Sequence, residues 1–90
     1  MSDSKTYSNV TEQIFACVKA ASSKAHGTVY DPPTGNKGTA TTETVVGKVK
    51  VGFDLNTGSN EITYTIIHKP VLAPEHDIWN GIEDAINGCR

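Results

Sequence analysis

The sequence predicts a small α+β domain of two layers, in which an N-terminal and a C-terminal helix cover one face of an antiparallel β-hairpin or three-stranded sheet. Three observations support this fold class. Apolar residues recur at spacings of three and four near both ends of the chain, which is the pattern of amphipathic helices. Apolar and polar residues alternate in two runs between those helices, which is the pattern of half-buried strands. A cluster of turn-forming residues separates the two runs, so we expect them to pair as antiparallel neighbours.

Length and composition restrict the chain to one globular unit, residues 1–90. A chain of 90 residues with 37% hydrophobic and 20% charged residues is neither disordered nor membrane-spanning by composition. Its net charge of -2 provides no general attraction to nucleic acid or to anionic lipid, so we expect neither as a partner. Residues 1–8 are polar and contain no apolar segment of the signal-peptide type. We therefore expect residues 1–8 to be disordered and the protein to be cytoplasmic.

The first predicted element is a helix over residues 9–26. Asn9 is suited to cap it, Glu12 completes a capping-box pattern, and Gly27 is a typical stop. The apolar stripe of this helix consists of Val10, Ile14, Cys17, Val18, Ala21 and Ala25. We expect this stripe to pack on the sheet.

Strand-forming residues occupy the middle of the chain. Thr28–Tyr30 predicts a short strand, and the prolines and glycines of residues 30–38 predict an exposed loop after it. The β-branched residues of Thr39–Leu55 predict one long strand, and Ile62–Lys69 predicts another, with the turn cluster of residues 56–60 between them.

The alternation of apolar residues also predicts the register of this hairpin. The pairs that we expect on its apolar face are Phe53 with Ile62, Val51 with Tyr64, and Val49 with Ile66. The same register places Asp54 opposite Glu61, which is a like-charge pair near the turn.

The last predicted element is a helix over residues 74–87. Pro74 suits its first position, and Glu75 and Asp77 suit the positive end of its dipole. Its apolar stripe consists of Ile78, Ile82, Ala85, Ile86 and Cys89. Gly81 lies within this helix and costs about 1 kcal/mol relative to alanine.

The two stripes and the alternating strands together predict the core. Its expected members are Val10, Ile14, Val18, Ala21, Val49, Val51, Phe53, Ile62, Tyr64, Ile66, Ile78, Ile82 and Ile86. Phe15 and Trp79 each lie one step off their stripe, so we expect them at the rim of the core. Of the two, Trp79 is expected to be the more exposed and available to a partner.

No residue set in the sequence has the spacing of a catalytic or cofactor-binding motif. We therefore expect a non-enzymatic binding or protein-interaction domain without a cofactor, whose partner is an unidentified protein. The long loop is the first candidate site, because long loops in small domains are often functional. Its candidate binding residues are Tyr30, Asp31, Asn36 and Lys37.

Two other groups of residues leave alternatives open. His68, His76 and Asp77 carry metal-ligating side chains, so the alternative function is a small metal-binding protein or enzyme. Cys17 and Cys89 lie on the two helical stripes, where they form either a disulfide or two buried thiols. The expected cytoplasmic location favours the thiols.

The predicted long strand also bears on assembly. Its first half, Thr39–Val46, extends beyond what Ile62–Lys69 can pair, so its backbone groups need other partners. We therefore expect either a monomer with an open edge or a homodimer formed through that edge strand.

Overall fold

A computed structural model describes residues 3–90 of the chain. In chain order its elements are β1 (Ser4–Tyr7), α1 (Glu12–His26), β2 (Val29–Asp31), β3 (Lys37–Thr44), β4 (Gly47–Asn56), β5 (Glu61–His68) and α2 (Glu75–Gly88). The predicted α+β class is confirmed. The predicted sheet of two or three strands is wrong, because the strands form one five-stranded antiparallel sheet in the order β1-β5-β4-β3-β2. Within the described residues, neither helix is long and apolar enough to cross a membrane.

The strand at one edge of the sheet, β1, comes from residues that we expected to be disordered. Ser4–Tyr7 pairs antiparallel with β5, and the two strands also share hydroxyl pairs such as Thr6 Oγ1 and Thr63 Oγ1, which are 2.9 Å apart. The polar composition of this segment therefore reflects a solvent-facing edge strand rather than disorder. The same expectation for Met1 and Ser2 lies outside the described residues.

The predicted strand Thr39–Leu55 is two strands, β3 and β4, joined by a tight turn at Val45 and Val46. The Thr44 hydroxyl organises this turn, since it donates to the Gly47 carbonyl oxygen at 2.7 Å and accepts from the Val46 N–H at 3.2 Å. Gly47 has a φ of 131°, which residues with a side chain rarely adopt. Because β3 pairs with β4, the backbone groups that we expected to need a partner are satisfied within the chain.

The β4–β5 hairpin differs from the predicted register by two residues. Phe53 lies opposite Tyr64 in the sheet. Because side chains alternate with period two, this shift leaves the residues on their predicted faces. It also places Asp54 opposite Thr63, which removes the expected like-charge pair with Glu61.

Helix α1 is close to its predicted bounds but has a different cap. It begins at Glu12, and Thr11 is its N-cap, because the Thr11 hydroxyl accepts a hydrogen bond from the Ile14 N–H at 3.2 Å. Asn9, the predicted cap, has a φ of 60° and lies before the helix. Gly27 ends the helix in the left-handed conformation, as its position in the sequence predicts.

The buried face of α1 is rotated relative to the predicted stripe. Phe15, which we expected at the rim, is 1% exposed and Val18 is also buried, whereas Ala21 and Ala25 are exposed. The Phe15 ring packs against Phe53, with 5.1 Å between the ring centroids. A large aromatic side chain gains more free energy from burial than two alanines, so it decides which face of the helix turns inward.

Helix α2 contacts β1 and buries Trp79, so the prediction that Trp79 is exposed and available to a partner is wrong. Trp79 is 8% exposed, and its Nε1 donates to Glu75 Oε1 at 3.1 Å. The Lys5 ammonium of β1 lies 6.0 Å from the Trp79 ring centroid and 3.7 Å from Glu83 Oε2. The unanticipated edge strand therefore covers the side of α2 that the sequence pattern leaves open.

A disulfide joins the two helices. Cys17 and Cys89 are bonded, with their Cα atoms 5.8 Å apart, so the expectation of reduced thiols is wrong. Beside it, the Arg90 guanidinium donates to the Ser8 carbonyl oxygen at 2.6 Å. The end of the chain is thereby fastened to both α1 and the segment that follows β1.

Candidate functional site

A cavity of about 420 Å³ lies between the sheet and the two helices. Its lining includes Val18 of α1, Val49 and Val51 of β4, Tyr64 of β5, and Ile78 and Ile82 of α2. Most of this surface is apolar. The cavity occupies the place where the sequence predicts close packing between the last helix and the sheet.

The inner stripe of α2 faces this space. Ile86 is buried, but Ile78 and Ile82 are only half-buried and line the cavity. A sealed and empty void of this volume would cost about 10 kcal/mol at roughly 24 cal/mol per Å³. The whole stability of a small domain is about 5–15 kcal/mol. Because the cavity opens to solvent, water or a ligand can fill it.

Gly81 keeps the α2 side of the cavity open. It lies between Ile78 and Ile82, and a Cβ atom at this position would meet no atom within 4 Å beyond its own helix. Glycine in a helix interior is about 1 kcal/mol less favourable than alanine, so helix stability does not explain its presence. A larger side chain at this position would project into the cavity.

Paired hydroxyl groups form the polar part of the lining. The hydroxyl oxygens of Ser22 and Tyr30 are 2.7 Å apart, and those of Thr28 and Thr42 are also 2.7 Å apart. Ser22 donates its hydroxyl hydrogen to the Val18 carbonyl oxygen at 2.7 Å, so the Tyr30 hydroxyl is the donor in the first pair. Thr28 is 7% exposed, which makes its hydroxyl a deeply placed polar group. These groups lie on the α1, β2 and β3 side of the cavity.

Tyr64 contributes a hydroxyl without a partner. Tyr64 is 3% exposed and lines the cavity, and no group within residues 3–90 hydrogen-bonds to its hydroxyl. Burial raises the pKa of this hydroxyl well above its usual value, and the Tyr30 and Tyr7 hydroxyls raise it further. The group therefore stays protonated and is a hydrogen-bond donor.

Charged side chains are scarce in the lining. Apart from the tyrosines, the ionisable lining residues of the described chain are His26, in the last turn of α1, and Asp77, in the first turn of α2. Asp77 Oδ1 lies 3.1 Å from Nε2 of the neighbouring His76. Lysine and arginine do not occur among the lining residues that the structure describes. Within residues 3–90, the cavity lining thus offers no permanently positive group to hold an anion.

The cavity opens between the β3–β4 turn and the segment that leads into α2. Val46 and Leu72 both line the cavity and are exposed, so they lie at its open side. Their chain neighbours Val45 and Val71 are almost wholly exposed and do not line the cavity. The opening is therefore bordered by apolar side chains that an apolar ligand would contact on entry.

The residues of the predicted loop site are spread over two strands and a loop. Tyr30 and Asp31 lie in β2, and Lys37 begins β3, so the connecting loop is shorter than predicted. Tyr30 faces the cavity, whereas Asp31 and Lys37 are exposed. Asn36 Nδ2 donates to Glu12 Oε2 at 3.3 Å, which holds the loop against α1. Of the four candidate residues, the structure places Tyr30 alone in the cavity.

Lys19 makes a second contact between α1 and this loop, which the sequence pattern does not indicate. Its ammonium donates to the Gly35 carbonyl oxygen at 2.6 Å and lies 4.5 Å from the Phe15 ring centroid. Burial against these groups lowers the pKa of Lys19. The two contacts explain why a loop rich in proline and glycine lies along the helix.

His68, His76 and Asp77 do not form a metal site. His68 ends β5 opposite Lys50, whereas His76 and Asp77 pair with each other at the start of α2. Among residues 3–90, no group of three or more His, Cys, Asp or Glu side chains is placed to hold a metal ion. The structure therefore does not assemble these three residues into one ligand set within the part of the chain that it describes.

Two features of the sequence weakly indicate the cavity. Thr42 and Thr44 occupy alternate positions of β3 that face the cavity, where a packed sheet normally carries apolar residues. Gly81 interrupts the apolar side of α2. Hydroxyls on the cavity side of β3 and a glycine on the apolar side of α2 together indicate a space between the sheet and that helix, although a single such position would not.

Comparison with known proteins does not supply a functional assignment. No protein family model matches this chain, and it has no significant match among curated proteins or solved structures.

Proposed function

We propose that this chain is a non-enzymatic binding protein that holds a small apolar molecule in the cavity between its sheet and helices. The observation that carries this proposal is the cavity itself, whose volume of about 420 Å³ falls within the range of roughly 300–1,000 Å³ for ligand sites. A cavity of about 150 Å³ is large enough for benzene. By proportion, this one suits a ligand on the order of 15 non-hydrogen atoms.

The lining supports binding rather than catalysis. A catalytic site needs a nucleophile or acid within hydrogen-bond reach of a base. In this cavity His26 and Asp77 belong to different helices, and the Asp77 carboxylate already pairs with His76. The side-chain hydroxyls pair with one another rather than with a base. We therefore interpret the polar groups as ligand contacts.

The disulfide bears on where the protein works. Disulfides such as Cys17–Cys89 persist in oxidising compartments and are rare in the cytosol. We therefore propose an oxidising compartment in place of the cytoplasmic location that the sequence suggests. An unidentified protein partner stays a prediction, for which exposed apolar side chains such as Val45 and Val71 are available contacts.

The test is a fluorescence titration with phenylnaphthylamine, a neutral probe whose emission rises in apolar surroundings. We expect saturable binding to the wild-type protein and weaker binding to Gly81→Leu, whose added side chain would occupy part of the cavity. Gly88→Leu is the matched control, because Gly88 belongs to the same helix, has equal free space and does not line the cavity.

The two glycine variants separate occupancy of the cavity from a change in helix stability, since both replace glycine in α2. We expect Gly81→Leu to weaken probe binding more than about tenfold, the equivalent of roughly 1.4 kcal/mol, and Gly88→Leu to leave it within about twofold. Equal binding by both variants, or no saturable binding by the wild type, would refute the proposed function.

A further inference from the structure

We propose that the cavity selects neutral amphipathic ligands, whose hydroxyl or carbonyl oxygen accepts a hydrogen bond from the Tyr64 hydroxyl, over carboxylates of the same chain length. This inference names the ligand class and rests on the proposed function.

The Tyr64 hydroxyl is the hydrogen-bond donor that would bind the oxygen of such a ligand. It belongs to a residue that is 3% exposed, it has no hydrogen-bond partner within the described chain, and the residue lines the cavity. Because this hydroxyl lies at the cavity and has no protein acceptor, a ligand oxygen can accept its hydrogen bond in place of water. Burial also keeps the hydroxyl protonated, so it offers a hydrogen and not a negative charge.

The neighbouring hydroxyls add capacity for one more neutral group. Because Tyr30 donates to Ser22 and Ser22 donates to a main-chain carbonyl, that pair has no free hydrogen, but the Tyr30 oxygen can still accept. In the pair of Thr28 and Thr42, one hydroxyl hydrogen remains free. An alcohol, which both donates and accepts, matches this set of groups.

The charges around the cavity disfavour an anion. A carboxylate moved from water into an apolar site needs a cation or several donors. Lysine and arginine do not occur in the described lining, and Asp77 is negatively charged. His26 lies in the last turn of α1, where the helix dipole is negative. A ligand carboxylate would therefore meet the negative end of the α1 dipole on one side of the cavity and the Asp77 carboxylate on the other.

The opposite side of the cavity suits a hydrocarbon. On α2 it is lined by Ile78, Ile82 and Ala85, with Gly81 leaving room between them. A ligand with its oxygen near Tyr64 and its chain along α2 would bury both parts against matching surfaces.

The experiment measures displacement of phenylnaphthylamine by decanol and by decanoate at about pH 8, where a carboxylic acid is ionised. The two competitors share a chain length, so they differ only in the head group. We expect decanol to displace the probe at a concentration at least about tenfold lower than decanoate. This outcome corresponds to a difference of roughly 1.4 kcal/mol.

Two tyrosine variants connect this selectivity to one hydroxyl. Tyr64→Phe should weaken decanol binding by roughly three- to tenfold, which is the usual net effect of one hydrogen bond, while binding of the probe is retained. Tyr7→Phe is the control, because it removes a tyrosine hydroxyl that has no partner among the described residues, but Tyr7 does not line the cavity.

The outcomes distinguish this inference from the proposed function. If the probe binds but decanoate competes as well as decanol, the ligand class is wrong and the binding function stands. If Tyr64→Phe and Tyr7→Phe bind decanol equally, the role of Tyr64 is wrong. If Tyr64→Phe does not fold, the displacement of the probe by decanol and by decanoate on the wild-type protein still tests the ligand class. If the probe itself fails to bind the wild type, the proposed function fails as well.

Discussion

Cys17 in the middle of α1 and Cys89 at the end of α2 are joined by a disulfide, with 5.8 Å between their Cα atoms. This bond fixes α2 at its C-terminal end, next to the buried Ile86. Further toward the N-terminus of the helix, Ile78 and Ile82 face the cavity. The disulfide therefore holds α2 to α1, and it compensates for the weaker packing of α2 against the sheet at the cavity.

The first prediction concerns this bond. The sequence separation of the two cysteines is 72, and a disulfide across such a loop stabilises the folded state by about 4 kcal/mol in the chain-entropy account. We expect a reductant, or the double substitution Cys17→Ser and Cys89→Ser, to lower the free energy of unfolding by that order. Urea denaturation followed by tryptophan fluorescence measures it. An unchanged midpoint under full reduction would show that packing alone holds α2.

The second prediction tests which face of β5 is buried. Ile62→Ala should cost roughly 2–5 kcal/mol, because Ile62 is fully buried in the core. Thr63→Ala at the adjacent position should cost under about 1 kcal/mol, since its hydroxyl bond to Thr6 is solvent-exposed. The two urea midpoints should differ clearly, and coinciding midpoints would contradict the orientation of this strand.

The faces of the strands were predictable from the sequence, but the number of strands was not. A register shift of two residues leaves each side chain on the same face of the sheet. The observed shift therefore did not change the predicted face of a residue such as Phe53. The turn at Val45 and Val46 could not be predicted, because valine favours strands. It depends on the Thr44 hydroxyl and on the backbone conformation of Gly47.

The candidate site was less predictable than the fold. An apolar stripe shows that one side of a helix avoids water, but it does not show whether a sheet or a ligand covers that side. Ile78 and Ile86 belong to one predicted stripe, yet the first faces the cavity and the second is buried in the core. Hydrogen-bond pairs such as Thr28 with Thr42 depend on strand pairing, which local patterns do not specify.

The third prediction concerns alkaline pH. Burial, and secondarily the negative charge of Glu83, raises the pKa of Tyr7 to about 12. An unfolded chain releases this proton near pH 10, whereas the folded chain retains it, so the folded state loses stability as pH rises from about 10 toward 12. Urea midpoints should therefore be steady up to about pH 9 and fall above about pH 10.

Tyr7→Phe should make this alkaline decrease shallower, because it removes one of the three tyrosines whose pKa is raised. The substitution should not destabilise the protein at neutral pH, since the Tyr7 hydroxyl has no hydrogen-bond partner in the described chain. A variant whose midpoints follow the wild-type curve above about pH 10 would contradict the assignment.

The fourth prediction concerns assembly. The pairing of β3 with β4 removes the unpaired half-strand that suggested a homodimer, and the remaining edges are β1 and the short β2. We expect multi-angle light scattering to report a mass near 9.6 kDa across a wide range of protein concentrations. A mass that doubles with concentration would point to pairing through one of these two edges.

The fifth prediction concerns the opening of the cavity, where neighbouring residues provide matched variants. Leu72 lines the cavity and is exposed, whereas Val71 is exposed without lining it. Leu72→Ser removes apolar surface that a ligand contacts, so it should raise the dissociation constant of phenylnaphthylamine by roughly three- to tenfold. Val71→Ser removes similar apolar surface outside the cavity and should change it less than about twofold. Since neither side chain is buried, both variants should keep the wild-type free energy of unfolding, measured by urea denaturation, within about 0.5 kcal/mol. Equal losses of probe binding in the two variants would indicate that the probe adheres to the exposed apolar rim rather than entering the cavity.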